Sequence, residues 1–137
     1  MALDAILDTR FFFSYFDPED ERIGAWSKGV VSRAISGQLK LASSVVSLTE
    51  IHLAMRRVAG EDEARTRILA IKSAGIPFLE LGEIEASVAG RIALRHQKLP
   101  LADCMIAGTS LVRARGTVMT DDPHFGEIEG VRMKWLR

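Results

Sequence analysis

The feature that most restricts this chain is an alternation of short apolar runs with longer segments whose apolar residues recur every three or four positions. Ala2 to Leu7 is short and mostly apolar, which predicts a buried strand. Aromatic residues crowd Thr9 to Phe16, and Asp17-Pro18 then marks a boundary. Glu19 to Gln38 reads as a helix, with Ile23, Trp26, Val30, Ala34 and Leu39 on one face, and Ala42 to Val46 as a second small strand. Ser47-Leu48-Thr49-Glu50 opens the next helix, with Ile51, Ala54, Met55 and Val58 on its apolar side and Gly60 at its end. A helix over Glu61 to Lys72 is closed by Gly75. Ile76 to Leu81 reads as a third strand and Glu83 to Gln97 as a long helix. Pro100 suits the first turn of a helix running to about Arg115. Gly116 stops it, Thr117 to Thr120 is a fourth strand and Val131 to Trp135 a fifth. Strands separated by helices require crossovers, so the expected fold is α/β, a mainly parallel sheet of about five strands covered on both faces.

No low-complexity segment, internal repeat or Pro/Gly/Ser linker interrupts this order, so the expectation is one domain over residues 1–137. A hydrophobic fraction of 47% and a charged fraction of 26% are ordinary globular usage and argue against disorder or a fibre. Apolar stretches such as Phe11-Phe12-Phe13 fall far short of the roughly 20 residues that cross a bilayer. Asp4 and Asp8 stand where a secretory signal wants a basic start and an unbroken apolar run. The expectation is a soluble, cytoplasmic protein with no membrane partner. Cys104 is the only cysteine, so no internal disulfide is possible, and its apolar neighbourhood favours a buried, inert thiol. The formal net charge is zero, so any surface for nucleic acid must be local.

In open parallel sheets, sites form at the carboxyl ends of the strands. That rule points to Asp8 after the first strand and to Asp121-Asp122 after the fourth. Four acids, Asp8, Glu50, Asp103 and Asp122, sit at element junctions in apolar surroundings, where a carboxylate is costly without compensation. Each also has a structural explanation. Glu50 follows Ser47 at capping-box spacing. Asp103 falls in a first helical turn, where negative charge is favoured. Asp122 can cap a short helix before Pro123. Asp8 is the hardest to explain structurally, because it ends a buried strand. If the four converge, their repulsion raises some pKa values, and a divalent cation with a preference for oxygen ligands removes it.

Ile6-Leu7-Asp8-Thr9, Val46-Ser47-Leu48-Thr49-Glu50, Leu101-Ala102-Asp103-Cys104-Met105-Ile106-Ala107 and Val118-Met119-Thr120-Asp121-Asp122-Pro123-His124-Phe125 resemble the four acidic motifs of the PIN domain, in the family's order and spacing. The resemblance spans nearly the whole chain. Length and the lack of further domains are similar to VapC-type toxins of toxin–antitoxin pairs. The resemblance implies a three-layer α/β/α sandwich and a metal-dependent endoribonuclease that hydrolyses RNA to a 3′-hydroxyl and a 5′-phosphate. It implies Asp8, Glu50, Asp103 and Asp122 as catalytic metal ligands for Mg²⁺ or Mn²⁺. Thr120 stands beside the site, where its hydroxyl can bond a carboxylate, and Thr9 matches the small hydroxyl residue that follows the first acid. Asp121 occupies a variable position and is counted as a neighbour. Arg10 stands where many relatives have an uncharged residue and receives no catalytic role. Implied partners are the RNA substrate, an antitoxin protein and a second copy of the chain in a homodimer.

Other residues carry weaker signals. His52, His96 and His124 are scattered and form no zinc pattern, though His124 lies inside the last motif and could touch substrate. Arg91, Arg95 and Lys98 recur at helical spacing, either as a solvated face or as contacts to RNA phosphate. Phe11, Phe12, Phe13, Tyr15 and Phe16 are many for one buried face: either all pack in the core or some form an apolar groove, where the resemblance to the toxins implies an antitoxin segment. Two alternatives to a toxin are an RNA-processing nuclease of the same fold and a binding module that has lost turnover. A small upstream antitoxin-like reading frame would distinguish the first, and the filling of all four acidic positions speaks against the second.

Overall fold

A computed structural model describes residues 2–136. Strand β1 (Ala5–Leu7) is followed by helices α1 (Thr9–Phe16) and α2 (Glu21–Ile35), then β2 (Leu41–Ser44) by α3 (Val45–Val58) and α4 (Glu61–Ser73). Strand β3 (Phe78–Leu79) leads into α5 (Glu83–Arg95) and α6 (Leu101–Arg113), and β4 (Thr117–Met119) is joined to β5 (Arg132–Lys134) through a 3-10 turn, Pro123–Glu127. The strands form one sheet in the order β3-β2-β1-β4-β5, and every pairing is parallel. The expected α/β architecture with five parallel strands is present.

Side chains of β1 alternate between the sheet's two faces, as the two-residue period of a strand requires. Ala5 and Leu7 join a core formed with α1 to α4, where Phe11, Phe12, Val30, Ile51 and Ile68 meet. Ile6 points the other way into a core with Ala89, Ile92, Ile106, Ala107 and Val118, under α5 and α6. Both faces are thus covered, which explains why β1 reads as a continuous apolar run.

Three boundaries differ from expectation. The aromatic segment 9–16 is itself a helix, because Asp8 leaves the strand with extended backbone and its carboxylate accepts from the Thr9 amide at 2.8 Å. Helix α3 begins at Val45, directly after β2, with Ser44 as its cap. Glu50 and Ser47 therefore lie inside the helix, and the capping-box explanation of Glu50 does not hold. Pro100 precedes the first turn of α6. Helices α5 and α6 pack closely because Gly108 faces Glu85 and Ala89, where an added Cβ would lie 2.9 Å from the Glu85 carbonyl oxygen.

Candidate metal centre

Between β1 and its two neighbours the chain changes direction across the sheet: β2 lies on one side and β4 on the other. A crevice opens at the carboxyl ends of strands at such a switch point. Asp8 leaves β1 there, and Thr120, Asp121 and Asp122 leave β4 beside it. Leu7 pairs with Met119 in register, and the Asp8 amide donates to the Met119 carbonyl at 3.2 Å. Helix α3 brings Glu50 to the same opening and the first turn of α6 brings Asp103. Asp8, Thr9, Glu50, Asp103 and Asp122 line one open pocket.

Two threonines orient the acids. Thr120, fully buried, donates to Asp8 Oδ2 at 2.8 Å and accepts from the Asp122 amide at 3.0 Å. One hydroxyl thereby ties the β1 acid to the segment after β4. The Thr9 hydroxyl donates to Glu50 Oε1 at 2.6 Å and lies 2.8 Å from Ser47 Oγ. Asp122 also caps the 3-10 turn, accepting from the His124 amide at 3.0 Å. Its structural explanation is thus correct geometrically, and one carboxylate serves both the cap and the pocket.

The electrostatics fit a cation. Burial pushes the Asp8 carboxyl up to about 6, with Asp103 and Glu50 adding to the rise and bonds from Thr120 and the Thr9 amide opposing it. Asp103 is also raised to about 6, first by burial and then by Asp122 and Glu50, with His124 and Arg10 opposing. Asp8 and Asp103 therefore hold their protons more tightly, through burial first and neighbouring carboxylates second. Hard oxygen donors crowded in this way match Mg²⁺ or Mn²⁺. Among the described residues, Asp103, Asp122 and His124 form a group whose potential ligand atoms lie within 4.8 Å of one another. His124 was not assigned as a ligand from the sequence. Its only signal was its place two residues after Asp122, and the 3-10 turn is what sets its ring beside that acid, Nδ1 3.3 Å from Asp122 Oδ1.

Other sequence candidates separate from the pocket. Arg91 and Arg95 line a different groove with His96 and Glu127, and Arg95 lies 3.8 Å from Glu129. Phe11 and Phe12 are core, whereas Phe13 reaches the pocket rim and an adjoining groove with Ile23, Met55 and Trp135. Cys104 is buried, and that burial pushes its thiol pKa up, with Asp103 adding to the rise. Arg10, given no role from sequence, donates from Nε to Asp121 Oδ1 at 2.5 Å and holds the Asp121 carboxyl below its ordinary range.

The sequence profile of the PIN domain matches residues 5–131. No curated protein matches the sequence significantly. Among solved structures, VapBC2 from Rickettsia felis bound to a DNA fragment from its promoter is similar with a TM-score of 0.73 at 13% identity, covering 96% of this chain and 97% of that one. DNA-bound VapBC from Salmonella typhimurium aligns with a TM-score of 0.70 at 20% identity over 97% and 98% of the two chains. VapC20 from Mycobacterium tuberculosis, a toxin that cleaves the sarcin-ricin loop, aligns with a TM-score of 0.71 at 17% identity over 93% and 96%.

Proposed function

The chain belongs to the PIN-domain family, and from that premise we propose that it is a metal-dependent endoribonuclease, the toxin of a VapBC-type pair acting in the cytoplasm. The observation that carries this reading is the convergence of Asp8, Glu50, Asp103 and Asp122, from four separate segments, on one open pocket. Two of them have carboxyls pushed up to about 6. These four residues would hold Mg²⁺ or Mn²⁺, with His124 as a further donor on the Asp103–Asp122 side. The bound ion supplies neutralisation of phosphodiester charge and activation of a water nucleophile.

The chain's own residues supply orientation. Thr120 holds the Asp8 carboxylate and the Asp122 backbone, and the His124 amide holds the Asp122 carboxylate, so both acids are oriented before the reaction. Thr9 does the same for Glu50. Pocket openness to solvent suits a single-stranded or looped RNA, whose backbone can bend toward the acids. The groove beside Phe13, Met55 and Trp135 adjoins the pocket and offers an apolar seat for an antitoxin segment. The VapBC relatives support that partner, and a homodimer is the assembly proposed with it.

A mixed RNA pool tests the reading. Cleavage is expected with Mg²⁺ or Mn²⁺, is lost in excess chelator and returns when either ion is restored, leaving 5′-phosphate ends. Cleavage that persists in excess chelator overturns the mechanism. Absence of cleavage with either ion, in protein shown to be folded and free of antitoxin, overturns the enzyme and leaves a binding module.

A further inference from the structure

The acid pocket poses a problem for its own substrate. RNA brings a negative charge at every nucleotide to an opening lined by four carboxylates, and an ion among those acids answers only for the phosphate directly over it. The remaining backbone needs a cation at the rim. Arg10 and Arg57 both line this pocket, but Arg10 alone is also positioned by a second charged group. It lies in the first turn of α1, two residues after Asp8, and also lines the adjoining groove with Phe13 and Asp121. It thus stands where the pocket opens into the groove.

The ion pair with Asp121 does not account for Arg10 as a structural element. The two side chains are 55% and 39% exposed, and a pair so open to water contributes little to folding. What the pairing does is orient the side chain. It uses Nε alone, so among the described residues both terminal nitrogens keep their donors for another acceptor. A guanidinium presents those donors in a planar fork that matches phosphate oxygens.

We propose that Arg10 is a substrate-positioning residue: tethered through Nε to Asp121, it binds with its terminal nitrogens a backbone phosphate flanking the scissile bond. The inference rests on the ribonuclease reading above. Arg10 guides the strand between pocket and groove and takes no part in the bond that breaks.

Steady-state cleavage of a fluorogenic RNA oligonucleotide tests this, at saturating Mg²⁺ over a KCl series, for wild type, Arg10→Ala, Arg10→Lys and Asp121→Asn. For Arg10→Ala, KM is expected to rise roughly tenfold or more while kcat stays within about threefold. The slope of log KM against log salt should fall by about 0.7, the value for one phosphate contact on a single strand. Arg10→Lys keeps the charge and should restore the slope but only part of the KM. Asp121→Asn keeps the cation and should retain the wild-type slope. An unchanged slope in Arg10→Ala overturns the proposal, as does identical behaviour of Arg10→Ala and Asp121→Asn, which would mark a merely structural pair. If wild type does not cleave, the ribonuclease reading falls and this inference with it. If wild type cleaves and the slopes agree, this inference alone falls.

Discussion

Asp8 is only 4% exposed, yet it ends an apolar strand with a carboxylate. Its pKa is raised to about 6 by burial above all, so the folded metal-free protein binds this proton more tightly than the unfolded chain. The resulting penalty is absent below about pH 4, grows as pH rises toward 6 and is complete above it. Metal-free stability should therefore decline across that window. Asp8→Asn should remove its own share of the decline and leave that of Asp103, gaining at most about 3 kcal/mol above pH 6, less about 1 kcal/mol for the bond its amide nitrogen cannot accept from Thr120. Asp103→Asn decides between two effects at the start of α6. The favourable helix-start charge contributes roughly 0.3–1 kcal/mol, but burial and the neighbouring Asp122 and Glu50 raise the Asp103 pKa on balance. Its loss should leave metal-free stability unchanged or improved while cleavage falls by orders of magnitude. Melts without metal over pH 4–8, paired with cleavage rates, check both variants; a destabilised, fully active Asp103→Asn protein defeats the assignment. At this scale Asp8, Asp103 and Asp122 were legible from their positions at element ends, whereas Glu50 lies inside α3, and the holders of the acids were only partly legible. Thr9 reaches Glu50 across 41 positions and Thr120 reaches Asp8 across 112, contacts that no local spacing encodes. Glu50 was ambiguous because it follows Ser47 at capping-box spacing, and only the end of β2 makes Ser44 the cap instead.

Among the elements, α1 departs most from its sequence signal. Its segment holds Thr9, Ser14 and five aromatic residues, all mediocre helix formers. Burial of Phe11 and Phe12 overrides that preference, and the edge-on contacts of Phe11 with Trp26 and Trp135 tie the helix to α2 and to the segment after β5. Strand β3 is shorter than the apolar run 76–81, since only Phe78 and Leu79 pair, at the sheet edge beside β2. The long periodic helices were the most readable because burial and local preference agree there. Helix α6 deserves a test of its own, since it carries Asp103. Gly108→Ala would set a methyl 2.9 Å from the Glu85 carbonyl oxygen and 3.0 Å from the Ala89 amide nitrogen, backbone atoms that cannot swing aside. Overpacking of this kind costs about 1–3 kcal/mol, against about 1 kcal/mol gained in helix preference. A net loss of up to about 2 kcal/mol is expected in denaturant melts. Equal or greater stability would show that α5 and α6 can separate without cost.

For the molecule as a whole, the formal net charge of zero hides a local concentration of negative charge at the switch point of the sheet. Binding of an ion there should stabilise the native state by mass action, about 2.7 kcal/mol at a hundredfold excess over Kd. Melting temperature should therefore climb with Mg²⁺ concentration in wild type and stay flat in Asp103→Asn. A flat wild-type response sinks the ion site, whatever the cleavage assays show. Among the described residues no helix is long and apolar enough to cross a membrane. The existence of five strands was legible from the chain's alternation, but their lateral order was not. That order depends on which distant edges meet, and β1 takes β2 on one side and β4 on the other. This arrangement has a consequence for synthesis. As the chain leaves the ribosome, β1 can acquire β2 early, yet its second edge stays open until residues 117–119 have been made. Asp122 and the Thr120 hydroxyl that holds Asp8 arrive with that late strand. A nascent chain therefore carries scattered acids, and the cluster is assembled only when the sheet closes around its first strand.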